Sequence, residues 1–369
     1  MLAHVWRLSV IFAAALLFSG CGGDSGGPAK AGSGKKRIVF MTNGNDPFWD
    51  TCNAGLKEAA SELKIADDGY SAEMDKANFT AEGQIDKLRQ YATEPDIVGV
   101  AISVFQADNK TLADELRKLQ AAGKKVITVD SDVNRERHRD ARSYYIGTDN
   151  LVGGKVLGTA ARAALQSKGA KSGGYVQFVG ATDVDNGRGR MNGVQETVGK
   201  EYQQLDRMPD AGKPDKARDN VRTALDNHGD KLVALFGIWA YNAPAIADVV
   251  AERKIRDKLI VATFDADAKA IEAMGEGNID VMVVQNPFDM GYQSVRLLKA
   301  LCEKDEKVVQ TMFPNAKDPE GDIYTTGLRV VVPQDTSPIK SDLFDPKVVE
   351  FMTLPQFQAW LKKYDLRSS

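Results

Sequence analysis

From Arg37 onward, short apolar runs alternate with longer amphipathic stretches. RIVFM precedes a helical pattern from Phe48 to Leu63, IVGVAIS precedes one over 107–122, and KVITVD precedes one over 151–165. The order continues with GYVQFVG before 188–198, LVALFGIW before 243–253, LIVATFD before 266–274 and DVMVVQ before 289–301. Apolar runs of about four to eight residues feeding helices of about ten or more predict βαβ units and parallel sheets. Because the runs are apolar almost throughout rather than alternating, both faces of each sheet are expected to be covered by helices. The series is long enough for two sheets, with a boundary at YIGTDN, where a strand ends in a turn-forming pair.

Both ends of the chain depart from this rhythm. Leu8 to Phe18 is apolar without a break, follows Arg7 and stops at Ser19 and Gly20, the layout of an export signal. A spanning helix needs about 20 apolar residues, and this run is shorter. Cys21 directly after the small pair resembles the lipobox of bacterial lipoproteins, which implies acylation of that thiol, although Phe18 stands where leucine is commoner. Gly22 to Lys36 is Gly/Ser-rich and reads as a flexible tether with an end-to-end distance of about 20 Å. After Val332 the chain becomes polar and Pro-punctuated, and LPQFQAWLKKYDL predicts a short helix burying Leu354, Phe357, Trp360 and Leu361. This tail is expected to pack on the body with little part in the chemistry.

Composition narrows the function. The 369 residues are 43% hydrophobic with a net charge of -3, and no basic block offers itself to a phosphate backbone, so nucleic acid is not an expected partner. Cys52 and Cys302 lie far apart and outside any C-x-x-C or Cys/His cluster, so two free buried thiols are expected. Three scattered histidines argue against a metal site or a histidine triad.

In open α/β sheets ligands bind beyond the carboxyl ends of the strands. The first such end reads TNGNDPFWD, with Thr42, Asn43 and Asp46 as polar groups and Phe48 and Trp49 as adjacent rings; Asp46 and Pro47 also suit a helix start. The later ends supply Asp130-Ser131-Asp132, Trp239, Asp265-Ala266-Asp267 and Gln285. Arg188 and Arg190 fall at a helix start, where a cation opposes the helix dipole and needs another reason to be present. The inventory is carboxylates, amides, arginine and rings, without a nucleophile, a metal cluster or a nucleotide loop. Such groups bridge vicinal hydroxyls and stack on the C–H faces of sugars.

NDPFW, VITVDSD, YIGTDNLVGGK, GRGRMNG, FDAD and VVQNPFDMG, in this order, resemble the ribose-binding family of periplasmic solute-binding proteins that serve sugar ABC importers. The resemblance implies an α/β fold of two Rossmann-like lobes with parallel sheets, joined by a three-crossover hinge and closing on a sugar without a cofactor. It implies a signal at 1–20 and a tether at 21–36. The first lobe would comprise 37–147 with 287–312, the second 148–286 with 313–333, and an extension would follow over 334–369. Matching motifs place Asp46, Phe48, Trp49 and Asp130 on the first lobe and Arg188, Asp265 and Gln285 on the second lobe or hinge, with Thr42 or Asn43 lining the same cleft. Ser131 stands where ribose binders carry arginine, and Trp239 where they carry asparagine, which favours a sugar other than ribose. The implied setting is a monomer in the periplasm, lipid-anchored, with Gly22 after the cysteine favouring the outer membrane, and an inner-membrane ABC permease as partner. A ligand-presenting sensor is the alternative within binding proteins. A lipid-anchored α/β hydrolase is the alternative outside them, but no G-x-S-x-G follows any of the apolar strand runs.

Overall fold

The computed structural model describes residues 34–369. The chain opens with β1 (Lys36–Met41), α1 (Phe48–Glu62), β2 (Tyr70–Asp75), α2 (Ala81–Thr93), β3 (Ile97–Ile102), α3 (Lys110–Ala121), β4 (Lys125–Val129) and β5 (Tyr144–Gly147). It continues through α4 (Asn150–Ser167), β6 (Gly173–Val179), α5 (Asp185–Thr197), β7 (Tyr202–Pro209), α6 (Pro214–His228) and β8 (Leu232–Gly237). Next come α7 (Asn242–Arg253), β9 (Ile260–Phe264), α8 (Ala268–Gly275) and β10 (Val281–Val284). The last elements are α9 (Pro287–Glu303), α10 (Glu306–Met312), β11 (Ile323–Thr325), β12 (Leu328–Val332), β13 (Val349–Thr353) and α11 (Leu354–Lys363).

These strands form two sheets, ordered β11-β5-β4-β3-β1-β2 and β13-β12-β10-β9-β8-β6-β7. Pairing is parallel throughout except between β10 and β12. Each sheet is the centre of one α/β lobe, and within a strand successive side chains go to opposite faces. On β1, Ile38 and Phe40 join one buried cluster while Val39 and Met41 join the other. Two apolar layers per sheet explain why the core strands read as unbroken apolar runs. The edge strands β2 (YSAEMD) and β7 (YQQLDRMP) are polar and half-buried, so the apolar pattern did not reveal them.

The chain changes sheet at 148–149, 285–286 and 326–327, with α9 packed back on α1 and on the first sheet. The last change falls later than the expected boundary at 313. Strand β11 pairs with β5 in the first sheet, Ile323 opposite Tyr145, because Asp322 just before it is held by Arg139 and Arg142 of the first lobe. The tail also does more than pack on the surface: β13 extends the second sheet in parallel with β12, and α11 starts from a capping box between Thr353 and Gln356. Of its expected apolar face, Leu354, Phe357 and Leu361 are buried and Trp360 is half-buried. Cys52 and Cys302 are both unpaired. Cys21 and the apolar leader lie outside the described residues.

Candidate functional site

Strands β4 and β9 occupy equivalent positions in their sheets and end alike. Asp130 donates its N–H to Ile146 O at 2.9 Å, and Asp265 donates its N–H to Val283 O at 2.8 Å. Both then turn through the left-handed region, with φ of 63° and 65°. A non-glycine residue there is uncommon and carries a small strain, which aspartate tolerates better than most. The strain turns both carboxylates off the ends of their strands, and such outliers concentrate at functional sites.

Arg190 of α5 completes the second-lobe half. Its Nε donates to Asn150 Oδ1 at 3.0 Å, while Nη1 donates to Ile238 O at 3.1 Å and to Asp265 Oδ2 at 3.3 Å. The guanidinium lies 3.9 Å from the Phe264 ring centroid. Gln285, at the second crossover, donates from Nε2 to Asp265 Oδ1 at 3.0 Å. Close helix packing makes this arrangement possible: a Cβ on Gly154 of α4 would lie 2.1 Å from Arg190 O, and one on Gly193 of α5 would lie 2.2 Å from Leu151 O. Only glycine lets the two backbones approach so closely.

Across the interface, Asp130 accepts from Ser103 Oγ at 3.2 Å. Enclosure raises its carboxyl to about 6; the Arg190 charge opposes that shift, and Asp265 and Asp46 add to it. Burial likewise raises Asp265, against Arg190 and the Gln285 hydrogen bonds. Asp130 belongs to the first lobe and Arg190 and Asp265 to the second, so these mutual influences bring acidic and guanidinium groups of both lobes to one place.

The remaining sequence candidates divide. Asp46 is exposed, and its Oδ1 accepts the Phe48 N–H at 2.9 Å, a helix-start role that leaves its other oxygen free. Phe48 is half-buried and meets Trp49 edge-on at 5.0 Å. Trp49 itself is buried beside Phe40 in the first-lobe core, and its Nε1 donates to Asn43 Oδ1 at 3.2 Å. Thr42 is fully buried, its Oγ1 donating to Gly44 O at 2.7 Å and accepting from Ala77 N at 3.1 Å, so it shapes the loop rather than facing a ligand. Ser131 is half-buried beside Asp130. Asp132 turns inward to Arg142 and Arg135. The Trp239 ring lies on Gly180, where a Cβ would meet it at 1.8 Å, and its Nε1 is buried without a partner.

Arg188 is the clearest departure. Its side chain is 53% exposed and pairs with Asp185 three residues away. It lines a cavity of about 570 Å³ with Arg135, Tyr145, Asn150 and Glu320. On α5 the buried positions are Gly187, Arg190, Met191 and Val194, the i, i+3, i+4, i+7 stripe of a helix, with Gly193 beside it, and Arg188 lies off them. That phase would have selected Arg190 from sequence. Ser103 and Asn150 gave no comparable signal, because a single serine or asparagine at an element end is what any cap or turn supplies. Two rings outside the sequence candidates, Phe79 and Phe105, are exposed and edge-to-face at 6.5 Å, on loops following β2 and β3.

Two α/β lobes joined by three crossovers, with acids and an amide at their strand ends converging with an arginine of α5, define a two-lobed solute-binding protein. The model of the periplasmic binding protein domain matches residues 37–306, and the chain belongs to that family. It is therefore one of a family of extracytoplasmic binding proteins. It is 24% identical over 289 residues to the D-allose-binding periplasmic protein of Escherichia coli, which spans 77% of this chain and 88% of the relative. Among solved structures, the solute-binding protein of an ABC transporter from Burkholderia graminis, in complex with D-arabinose, superposes with a TM-score of 0.66 at 23% identity, covering 81% of this chain and 96% of that one. A periplasmic solute-binding protein from Actinobacillus succinogenes with bound D-allose gives 0.67 at 16% identity, over 81% and 98%. Among the described residues no helix is long and apolar enough to cross a membrane.

Proposed function

We propose that this protein captures a monosaccharide or related polyol between its lobes and delivers it to an ABC importer. The observation that carries this reading is the convergence of Asp130, Asp265 and Gln285 at strand ends of the two lobes with Arg190 of α5. Carboxylate oxygens accept from paired hydroxyls, and the guanidinium donates to a ring oxygen or a hydroxyl. Phe48 and the Trp239 ring supply apolar faces for sugar C–H groups. A wrong epimer would leave buried polar groups unpaired, which is how such a site discriminates. The relatives named above, whose bound sugars are aldoses, support the same substrate class.

Binding to both lobes favours their closed arrangement by as much as the ligand prefers it, and the closed shape is what a permease reads. Ser131 and Trp239, in place of arginine and asparagine, point away from ribose. Export through the leader, acylation at Cys21, attachment to the outer membrane and a monomeric state complete the proposal. The test is a thermal-shift and calorimetric screen of the mature protein against pentoses, hexoses, deoxysugars and polyols. At least one sugar is expected to bind in the micromolar range; silence across the panel, with amino acids binding instead, would overturn the sugar assignment.

A further inference from the structure

The C-terminal segment reaches both walls of the site. Helix α11 is rooted in the second lobe, where Leu354, Phe357 and Leu361 share a buried cluster with Ile271 and Met274 of α8, and Arg329 of β12 lies 4.0 Å from the Trp360 ring centroid. From that base Trp360 and Tyr364 meet Phe288, with ring centroids 5.9 and 4.6 Å apart. Phe288 belongs to the first turn of α9, which packs with the first lobe, just past the second crossover.

Beyond α11 the chain bonds to residues of both lobes. Ser368 O accepts from Thr51 Oγ1 at 2.8 Å, and Thr51 is a fully buried residue in the first turn of α1, close to Phe48 and Trp49. Ser369 donates its N–H to Ala266 O at 3.1 Å and accepts the Ala266 N–H at 3.0 Å. Ala266 directly follows Asp265, so this two-way pair fixes the loop that holds the strained Asp265 backbone. One short stretch is thereby bonded to the ring-bearing helix of the first lobe and to the acidic loop of the second.

We propose that residues 354–369 are a strap across the cleft: they tie the lobes in the closed arrangement and position the Asp265 loop. Ligand release then requires the Thr51–Ser368 bond to break, or the tail to leave Ala266, in addition to the loss of ligand contacts. The strap's effect on affinity rests on the sugar-binding reading; its effect on lobe opening does not.

The test compares the full chain with Thr51→Val, which keeps the shape of the side chain and removes the donor, Thr51→Ser, which restores a hydroxyl, and a deletion of residues 367–369. Two readouts are used: small-angle scattering of the ligand-free protein, and stopped-flow release of a sugar identified by the panel screen. Thr51→Val and the deletion are expected to enlarge the radius of gyration. Loss of one buried hydrogen bond should speed release roughly fivefold, and Thr51→Ser should return both readouts toward the parent. Parent-like scattering and release in Thr51→Val, whether or not the deletion acts, would overturn the cross-lobe tie. Should no sugar bind the parent, the scattering alone decides the strap, while the failed screen counts against the sugar reading.

Discussion

At the residue scale, Asp130 makes the site's strongest demand on its surroundings. Its carboxyl is raised to about 6 from 3.8, chiefly by enclosure, so below pH 6 the ligand-free protein holds a proton there. For stability the sign is that of an acid raised on folding: the cost of the charge is fully present above about pH 6 and fades as pH falls toward 3.8. Ligand binding runs the other way, because sugar hydroxyls donate to an ionised carboxylate. Affinity is expected to be flat above pH 6 and to fall by up to about tenfold per pH unit below it, while Asp130→Asn lessens that slope, leaving the part that the raised Asp265 supplies. Calorimetric titrations from pH 8 to pH 5 check this, and an affinity constant to pH 5 would contradict it. Asp130 and Asp265 were legible in the sequence because strand ends are read from apolar runs and an acid there stands out. The dipole argument leaves Arg188 and Arg190 equivalent and the motif match points to Arg188, whereas burial depends on helix phase and selects Arg190. The inward turn of Trp49 was not legible for a related reason: its partner Phe40 lies on a different element, and nothing local says which of two neighbouring rings turns inward.

At the scale of elements, the α4–α5 contact sets the position of Arg190. Gly154→Ala would put a methyl group 2.1 Å from a backbone oxygen, which no rotamer change relieves, so α5 must move. The expected cost is about 1–3 kcal/mol, read as a fall of several degrees in the melting temperature, accompanied by weaker sugar binding as Arg190 shifts off Asp265. A melt and an affinity equal to the parent's would show that the contact is slack. The sequence revealed the buried βα alternation well, since each core strand carries apolar residues on both faces. It hid β2 and β7, whose edge positions leave them polar, and β11, a three-residue strand whose place is set by Asp322 pairing with arginines about 180 residues earlier. It also hid β13, because VEFMT follows a Pro-punctuated loop that reads as the end of the fold.

For the molecule as a whole, three crossovers at 148–149, 285–286 and 326–327 give the lobes a narrow junction, and the site groups stand on either side of it. The division into two sheets was readable from the number of units, but the convergence of the lobes was not, since it depends on contacts between residues as distant as Thr51 and Ser368. The central claim is that a sugar is gripped where those groups meet. It is tested most directly by parallel calorimetric titrations, with the best sugar of the panel, of the parent, Asp265→Ala and Arg188→Ala. The parent and Arg188→Ala are expected to give matching one-site micromolar curves and Asp265→Ala no binding while it remains folded; equal heats in Asp265→Ala and the parent would contradict the account.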